Sequence, residues 1–307
     1  MHPLFREELS HIVSGQVEWN CPLSGYTSFA IGGPAEALVT AGNKAELAGL
    51  LDFFSRRQVA WRVIGKGTNL LIRDEGFAGV IVLLGLEFQQ IDFGIQQEDG
   101  RTRVSVGGGC GLTRLAMSCM EKGLAGLEFV TGIPGTVGGA VIMNAGAWGS
   151  EIASVLKALT VLTLEGERTL QRRDLDFGYR CWHDFHKFYG RTVVINADFE
   201  LIADDPEAVR RRCSQLQEKR RTSQPKGKGN AGSFFKNPEG DSAGRLIEAS
   251  GLKGRHVGGA MISDQHANFL VNRGGATSAD VLSLMRLVQE KVKKDSGIEL
   301  DPEVHFI

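Results

Sequence analysis

The chain has 307 residues, too many for one ordinary core, and its 42% hydrophobic and 23% charged residues are a globular composition. A formal net charge of -1 lacks the basic excess that binding to a phosphate backbone requires, which argues against a nucleic-acid partner. No segment reaches the ~18 apolar residues of a membrane span, and MHPLFREELSHIVSG lacks a signal peptide's apolar run, so a cytoplasmic protein is expected.

In chain order, Asn43 is placed to cap a helix over KAELAGLLDFFSRRQ, ending near Gln58. A strand at WRVIG, a loop at GKGTN, a segment LLIRD, a turn at Asp74–Gly76 and a strand at GVIVLL make a small α/β unit. FQQIDFGIQQ and TRVSVGGG flank an Asp99–Gly100 turn and read as a hairpin. LTRLAMSCMEKG is a helix closed by Gly123, LTVLTLEGERTLQRRDL a second hairpin, and TVVINADFELI a strand. A domain boundary is expected near Ile202, before a helix that opens at Asp205–Pro206 and ends before Pro225. A short helix AGRLIEASG, strands GAMIS and NFLVN, a helix from Ser278 to about Asp295 and a strand ELDPEVHFI follow. Val281, Met285, Val288 and Val292 form that helix's packing stripe. Hairpins mixed with helices predict an α+β fold rather than a doubly wound sheet.

Cys21, Cys110, Cys119, Cys181 and Cys213 are odd in number and lack C-x-x-C spacing, so they read as reduced thiols, with no zinc or other metal site. The basic residues Arg210, Arg211, Arg212, Lys219, Arg220, Arg221, Lys226 and Lys228 read as the solvated face of a helix, without aromatics for base stacking. The 40 glycines are nearly twice the usual share of ~7% and fall in discrete clusters, the pattern of loops whose backbone approaches a ligand.

Five motifs follow from this, each with a plain alternative. Gly65-Lys66-Gly67-Thr68-Asn69 is neither a P-loop nor a Rossmann fingerprint; it is an anion-binding nest or a tight turn. The run from Gly132 through Ala140, with Met143-Asn144-Ala145-Gly146-Ala147 behind it, is a backbone surface for a flat or phosphorylated ligand or a close-packed turn. Phe177-Gly178-Tyr179-Arg180 offers an arginine beside an aromatic, which alone is a surface cation–π pair. Ser233, in Gly229-Asn230-Ala231-Gly232-Ser233, and Glu303, in the terminal strand, are ordinary as isolated residues.

Taken in order and spacing, TSFAIGGPAEALV, GKGTNLLIRDEGFAGVIV, GLAGLEFVTGIPGTVGGAVIMNAGAWGSEI, FGYR, GNAGSFFKNP, SAGRLIEASGLKGRHVGGAMISDQHANFLVN and LDPEVHF resemble the UDP-N-acetylenolpyruvoylglucosamine reductase (UDP-N-acetylmuramate dehydrogenase) family, in its branch with a short substrate domain. The resemblance implies a two-part FAD-binding domain of the vanillyl-alcohol-oxidase/PCMH type, over 1–85 and 86–203, and a C-terminal α+β substrate domain over 204–302. The last strand, 303–307, is expected to return to the first part. It implies non-covalent FAD held by Gly65, Lys66, Gly67, Thr68, Asn69 and Leu70 and by Gly132, Ile133, Pro134, Gly135, Thr136, Gly138, Gly139, Ala140, Asn144, Ala145 and Gly146. NADPH as co-substrate, a UDP-sugar as substrate, and a monomer are implied with it.

By the same resemblance Arg180 faces the substrate carboxylate, Glu303 supports the developing enolate in its protonated form, and Ser233 delivers the proton. Such roles need a fixed cation, a desolvated carboxyl group and a positioned acid. Tyr179, Lys236 and Asn237 are substrate contacts in this reading. Three departures from the family pattern stand out: Cys181-Trp182-His183 after the arginine, His305 in place of an arginine, and no inserted loop with a capping tyrosine. The rivals are another flavin oxidase of the same fold, for which Cys110 is the one conceivable covalent tether, and a non-catalytic UDP-sugar sensor.

Overall fold

The computed structural model describes residues 3–185, 191–225, 227 and 229–307. Lys226 and Lys228 of the basic run lie outside the described residues. The chain forms two compact units, neither of them continuous in sequence: Met1–Trp19, Ala37–Gly65 and Gly79–Lys219 make one, and Asn20–Glu36, Lys66–Ala78 and Arg220–Ile307 the other.

The first unit has two cores. One is built around the helix Lys44–Arg57, whose Leu47, Leu50, Leu51 and Phe54 are buried at the spacing of a single helical face. Asn43 caps it, its side chain accepting from the Glu46 N–H, and Gln58 ends it in the left-handed region at φ 53°. Strand Trp61–Val63 runs parallel to Phe77–Leu84, pairing Trp61 with Val80 and Val63 with Val82. Val80 and Val82 pack against the helix in this core.

The second core lies on one face of a six-stranded antiparallel sheet, ordered Gly166–Gln171, Leu156–Thr163, Thr192–Ala203, Arg101–Gly107 and Ile91–Phe93, with Leu124–Ala125 also paired to Thr192–Ala203. Helix Leu112–Glu121 covers it with Leu112, Leu115, Ala116 and Cys119, again one helical face. Each such buried aliphatic side chain contributes about 1.5–3 kcal/mol, so these faces decide where the helices sit. The helix Pro206–Ser223 falls within this unit as far as Lys219.

The second unit is organised by helix Ser278–Ser296. Thr277 and Asp280 form a capping box, and Val281, Leu284, Val288 and Val292 are fully buried while Met285 is partly so. Asp74 adds to the cap, accepting from the N–H groups of Ser278 (2.8 Å) and Ala279 (3.1 Å). The helix packs on an antiparallel sheet of His256–Val257, Ala260–Ile262 and Leu270–Asn272. The terminal strand is only His305–Phe306 and pairs parallel to Leu70–Leu71. It is shorter than expected: upstream of it a single bridge joins Phe235 and Pro302, through Lys236 N–H on Asp301 O and Glu303 N–H on Phe234 O. No disulfide joins the five cysteines, and among the described residues no helix is long and apolar enough to cross a membrane.

Candidate active site

The motif residues gather in two clusters, one in each unit. In the first unit the Gly132–Ala140 run turns through Gly132 (φ 78°) and Gly135 (φ 143°) into a short helix, Val137–Ile142, capped by Thr136. The first N–H groups of that helix are spent inside the protein, Val137 on Cys110 O (2.9 Å), Gly138 on Gly108 O (2.8 Å) and Gly139 on Thr136 Oγ1 (3.4 Å). The donors left over are upstream: among the described residues the N–H groups of Gly132, Gly135 and Thr136 meet no acceptor. The same holds for Gly65, the first residue of the first glycine loop.

Gly65 belongs to this unit and lies against Thr136; a Cβ on Gly65 would overlap Thr136 Oγ1. The glycine therefore lets one loop's backbone reach the other, and no larger residue fits without moving Thr136. Unsatisfied backbone donors on glycine-rich turns are an anion-binding arrangement, and they suit the diphosphate of a dinucleotide. FAD fits here by its chemistry, through main chain rather than side chains.

Behind the loop, Asn144 is fully buried at φ 41°. Its Nδ2 donates to Gly178 O (2.9 Å) and its Oδ1 accepts from the Ala153 N–H (3.0 Å). Both ends of the amide are thus committed to the protein, so Asn144 can offer a cofactor only its backbone.

Gly178 opens a two-residue hairpin: Phe177 pairs with Trp182, Gly178 with Cys181, and Tyr179 and Arg180 form the tip. Arg180 sits at φ 57°, a left-handed conformation that costs a non-glycine residue of the order of 1–2 kcal/mol. Its guanidinium stands 5.0 Å over the Tyr179 ring, and its Nη1 points toward Gly146 of the second glycine run. Backbone strain of this kind collects where a side chain must be aimed.

The departure Cys181-Trp182-His183 has a structural account. Trp182 is buried between Phe177 and Phe185 (ring centroids 6.0 and 5.5 Å apart), and the His183 imidazole lies on Gly178 where a Cβ would overlap it. Arg172, unremarked in the sequence, covers the Phe177 ring at 5.0 Å and donates to Ala153 O (3.0 Å) and Leu175 O (2.9 Å).

In the second unit the C-terminal segment runs beside the Ser233 loop. Glu303 N–H donates to Phe234 O (2.8 Å), Lys236 N–H to Asp301 O (2.8 Å), and Asn69 Nδ2 to Glu303 O (3.0 Å). Three motifs separated by as many as 234 residues thus converge: Asn69 of the first glycine loop, the residue after Ser233, and Glu303. Ser233 and Glu303 are both half-buried. Gly67 (φ 59°) fixes the loop from below, accepting at its carbonyl from Ser28 N–H (3.1 Å), and a Cβ there would run into Tyr26 O.

Lys236 and Asn237 are otherwise engaged. Lys236 pairs with Asp301 (2.6 Å), and the Asn237 carboxamide oxygen accepts from Ala243 N–H (3.1 Å) at the start of helix Ala243–Ala249. His305, standing where the family pattern has arginine, is an exposed residue of the last strand. Desolvation of the ring, and then the Lys236 ammonium, hold its pKa below the usual imidazole value.

Asn268 belongs to none of the five motifs. It begins the apolar NFLVN segment, is 3% exposed, and holds Phe235 from both sides. A buried amide at the head of an otherwise apolar strand is the signal it gave.

Known proteins resemble this chain over its whole length. A family described as "FAD binding domain" matches residues 35–170, and one described as "UDP-N-acetylenolpyruvoylglucosamine reductase, C-terminal domain" matches residues 224–307. The reductase of that name from Syntrophus aciditrophicus is 42% identical over 310 residues, covering 100% of this chain and 97% of that one. The one from Bacillus subtilis is 39% identical over 302 residues (98% and 97%). The crystal structure of UDP-N-acetylenolpyruvylglucosamine reductase from Thermus caldophilus superposes with a TM-score of 0.80 at 37% identity, over 95% of this chain and 98% of that one.

The α+β fold, its FAD-binding domain and its reductase relatives make this an FAD-dependent oxidoreductase. The chain belongs to the UDP-N-acetylenolpyruvoylglucosamine reductase family.

Proposed function

We propose that the protein reduces UDP-N-acetyl-3-O-(1-carboxyvinyl)-glucosamine to UDP-N-acetylmuramate at the expense of NADPH, as a cytoplasmic monomer supplying peptidoglycan precursor. FAD, when bound, supplies the hydride relay from NADPH to the enolpyruvyl methylene carbon. The backbone donors of residues 65–70, and those of the 132–146 segment, hold the cofactor in this reading. The functional division into 1–85, 86–203 and 204–302 belongs to it too.

The chain's own residues then manage charge and a proton. As the methylene carbon gains hydride, negative charge grows on the neighbouring carbon and its carboxylate. Arg180 meets the carboxylate as a permanent cation, and its constrained turn holds the guanidinium without reorganisation. Glu303, protonated, hydrogen-bonds the enolate oxygen. Ser233 gives its hydroxyl proton to the carbanionic carbon and is reprotonated from water or a neighbour. Tyr179 lines the substrate, and Lys236, released from Asp301, reaches the diphosphate together with Asn237.

The observation that carries the reading is the bond from Glu303 N–H to Phe234 O, because it sets a candidate acid and a candidate proton donor on adjacent backbone. The oxidase rival would need Cys110 as its tether, and that residue is fully buried within the Gly107–Gly111 turn.

The test is anaerobic. Flavin absorbance should bleach with NADPH and recover when the enolpyruvyl UDP-sugar is added, and Ser233→Ala should slow recovery while leaving bleaching unchanged. Oxygen uptake without NADPH, or bleaching with no recovery, would overturn the assignment of substrate.

A further inference from the structure

Ser233 is held by very few groups of its own, yet a proton donor must be placed to within a fraction of an ångström. On its N-terminal side is Gly232 at φ 78°, a permissive joint, with its N–H on Asn230 Oδ1 (3.0 Å). On its C-terminal side are Phe234 and Phe235, 0% and 1% exposed, with rings 5.2 Å apart and edge to face. The position of Ser233 is therefore inherited from Phe234 and Phe235.

One residue fixes both. Asn268 O accepts from the Phe234 N–H (2.7 Å), Asn268 Oδ1 accepts from the Phe235 N–H (2.9 Å), and Asn268 Nδ2 donates to Phe235 O (2.8 Å). The carboxamide thus presents a donor and an acceptor side by side to a single residue's N–H and C=O, as a neighbouring β-strand would. On the opposite edge the 301–303 segment bonds only the flanking residues, Glu303 N–H to Phe234 O and Lys236 N–H to Asp301 O, so the N–H and C=O of Phe235 itself are left to the carboxamide. Asn268 is itself pinned: its N–H donates to His266 Nδ1 (3.2 Å), and the His266 ring stands edge-on to Phe269 at 4.9 Å. On the far side Phe234 O receives the Glu303 N–H (2.8 Å), so the same two-residue anchor sets Ser233 and Glu303 relative to each other.

We infer that Asn268 is a positioning residue for proton delivery: its two-point grip on Phe235 sets where the Ser233 hydroxyl stands beside Glu303. The inference rests on the assignment of Ser233 as proton donor. It differs from a general stabilising role because Asn268 then acts on only one half of the catalytic cycle, and only through Ser233.

The experiment uses the FAD-loaded enzyme in single-turnover mixing. Asn268→Ala removes both side-chain bonds. It should slow reoxidation by the enolpyruvyl UDP-sugar by up to about a hundredfold, the order of loss for a reacting group displaced by ~1 Å, while reduction by NADPH stays within about twofold of wild type. In the double variant Ser233→Ala/Asn268→Ala the second change should add nothing to the first, since a misplaced donor and an absent one are equivalent.

If Ser233→Ala alone leaves reoxidation untouched, the proton-donor assignment itself is wrong. If Ser233→Ala is slow and Asn268→Ala slows it further by its full factor, the positioning inference is overturned while the assignment stands.

Should Asn268→Ala fail to fold, Asn268→Asp keeps the shape. It retains the acceptor for Phe235 N–H and lacks the donor for Phe235 O until it is protonated. Its reoxidation rate should therefore rise toward wild type as pH falls, relative to a wild-type profile measured alongside. A flat ratio between the two profiles would count against the inference.

Discussion

Replacing Asn144 with alanine tests the claim that the glycine run and the arginine turn are joined by one buried amide. The side chain is fully buried, so water does not stand in for it directly. Its removal strips the Ala153 N–H of its acceptor and Gly178 O of its donor, each worth about 1–3 kcal/mol when left buried and unsatisfied. Asn144 also sits at φ 41°, where alanine bears roughly 1 kcal/mol more strain than asparagine. The expected loss is about 3–7 kcal/mol, a large part of the 5–15 kcal/mol that holds a typical domain together.

The assay is urea unfolding of wild type, Asn144→Ala, Asn144→Gly and Asn144→Asp. Glycine should recover only the strain, about 1 kcal/mol relative to alanine. Aspartate should keep the bond to Ala153 N–H and lose the one to Gly178 O, and it should weaken substrate binding through the loosened Arg180 turn. An Asn144→Ala variant within about 1 kcal/mol of wild type would refute the reasoning, because the two bonds would then not be carrying the junction.

Other expectations follow from single contacts. Gly65→Ala should lower FAD affinity at least about tenfold by pushing Thr136 aside, and Thr136→Ala in the same chain should restore part of it by removing the overlapping hydroxyl; flavin fluorescence titration reads both. Gly67→Ala has no such rescue, since its clash is with Tyr26 main chain and its φ is 59°; no flavin-loaded protein is expected from it. Desolvation pushes the Glu46 carboxyl up, but hydrogen bonds from Gly42, Ser14 and Asn43 outweigh it and hold its pKa below the usual value. With a lowered folded-state pKa, its stabilisation is present above the ordinary glutamate range and is lost as pH falls through and below about 4, so Glu46→Gln should flatten the acid limb of the melting temperature against pH. Asp301→Asn should free Lys236 and lower the KM for the UDP-sugar; an unchanged KM would argue that Lys236 serves only the loop.

Much of the fold was legible because its elements are locally marked. Asn43, the Leu47–Phe54 spacing and the Arg56–Arg57 end define a helix without help from the rest of the chain. The hairpin at Glu165–Gly166 and the strand Thr192–Ala203 are legible for the same reason, through turn chemistry and β-branched residues. What stayed illegible were pairings of very short segments. Leu70–Leu71 looks like half of a local strand pair, yet its partner is His305–Phe306, and no periodicity in two residues can announce a partner 235 positions away. The compact units divide the sequence into interleaved pieces for a related reason: Asn20–Glu36 and Lys66–Ala78 pack with Arg220–Ile307, and composition along the chain carries no trace of that.

The site divides along the same line. Glycine loops, Arg180, Ser233 and Glu303 are recognisable because they stand in the order of the family pattern and are the residue types the proposed chemistry needs. The residues that aim them are asparagines and an arginine in otherwise unremarkable company. Asn144, Arg172 and Asn268 work by satisfying main-chain groups of residues distant in sequence, by 34 positions for Asn144 to Gly178 and 33 for Asn268 to Phe235. Any polar residue in a sequence has main chain to bond somewhere, so its type says nothing until the fold supplies the partner. Burial supplies the missing discrimination. An asparagine with 0% or 3% of its surface exposed must have both ends of its amide paired, and the identity of those pairs names the backbone it exists to hold. In this protein the two most buried asparagines hold the turn that carries Arg180 and the loop that carries Ser233, which ties the internal polar groups to the two side chains whose placement the proposed reaction demands.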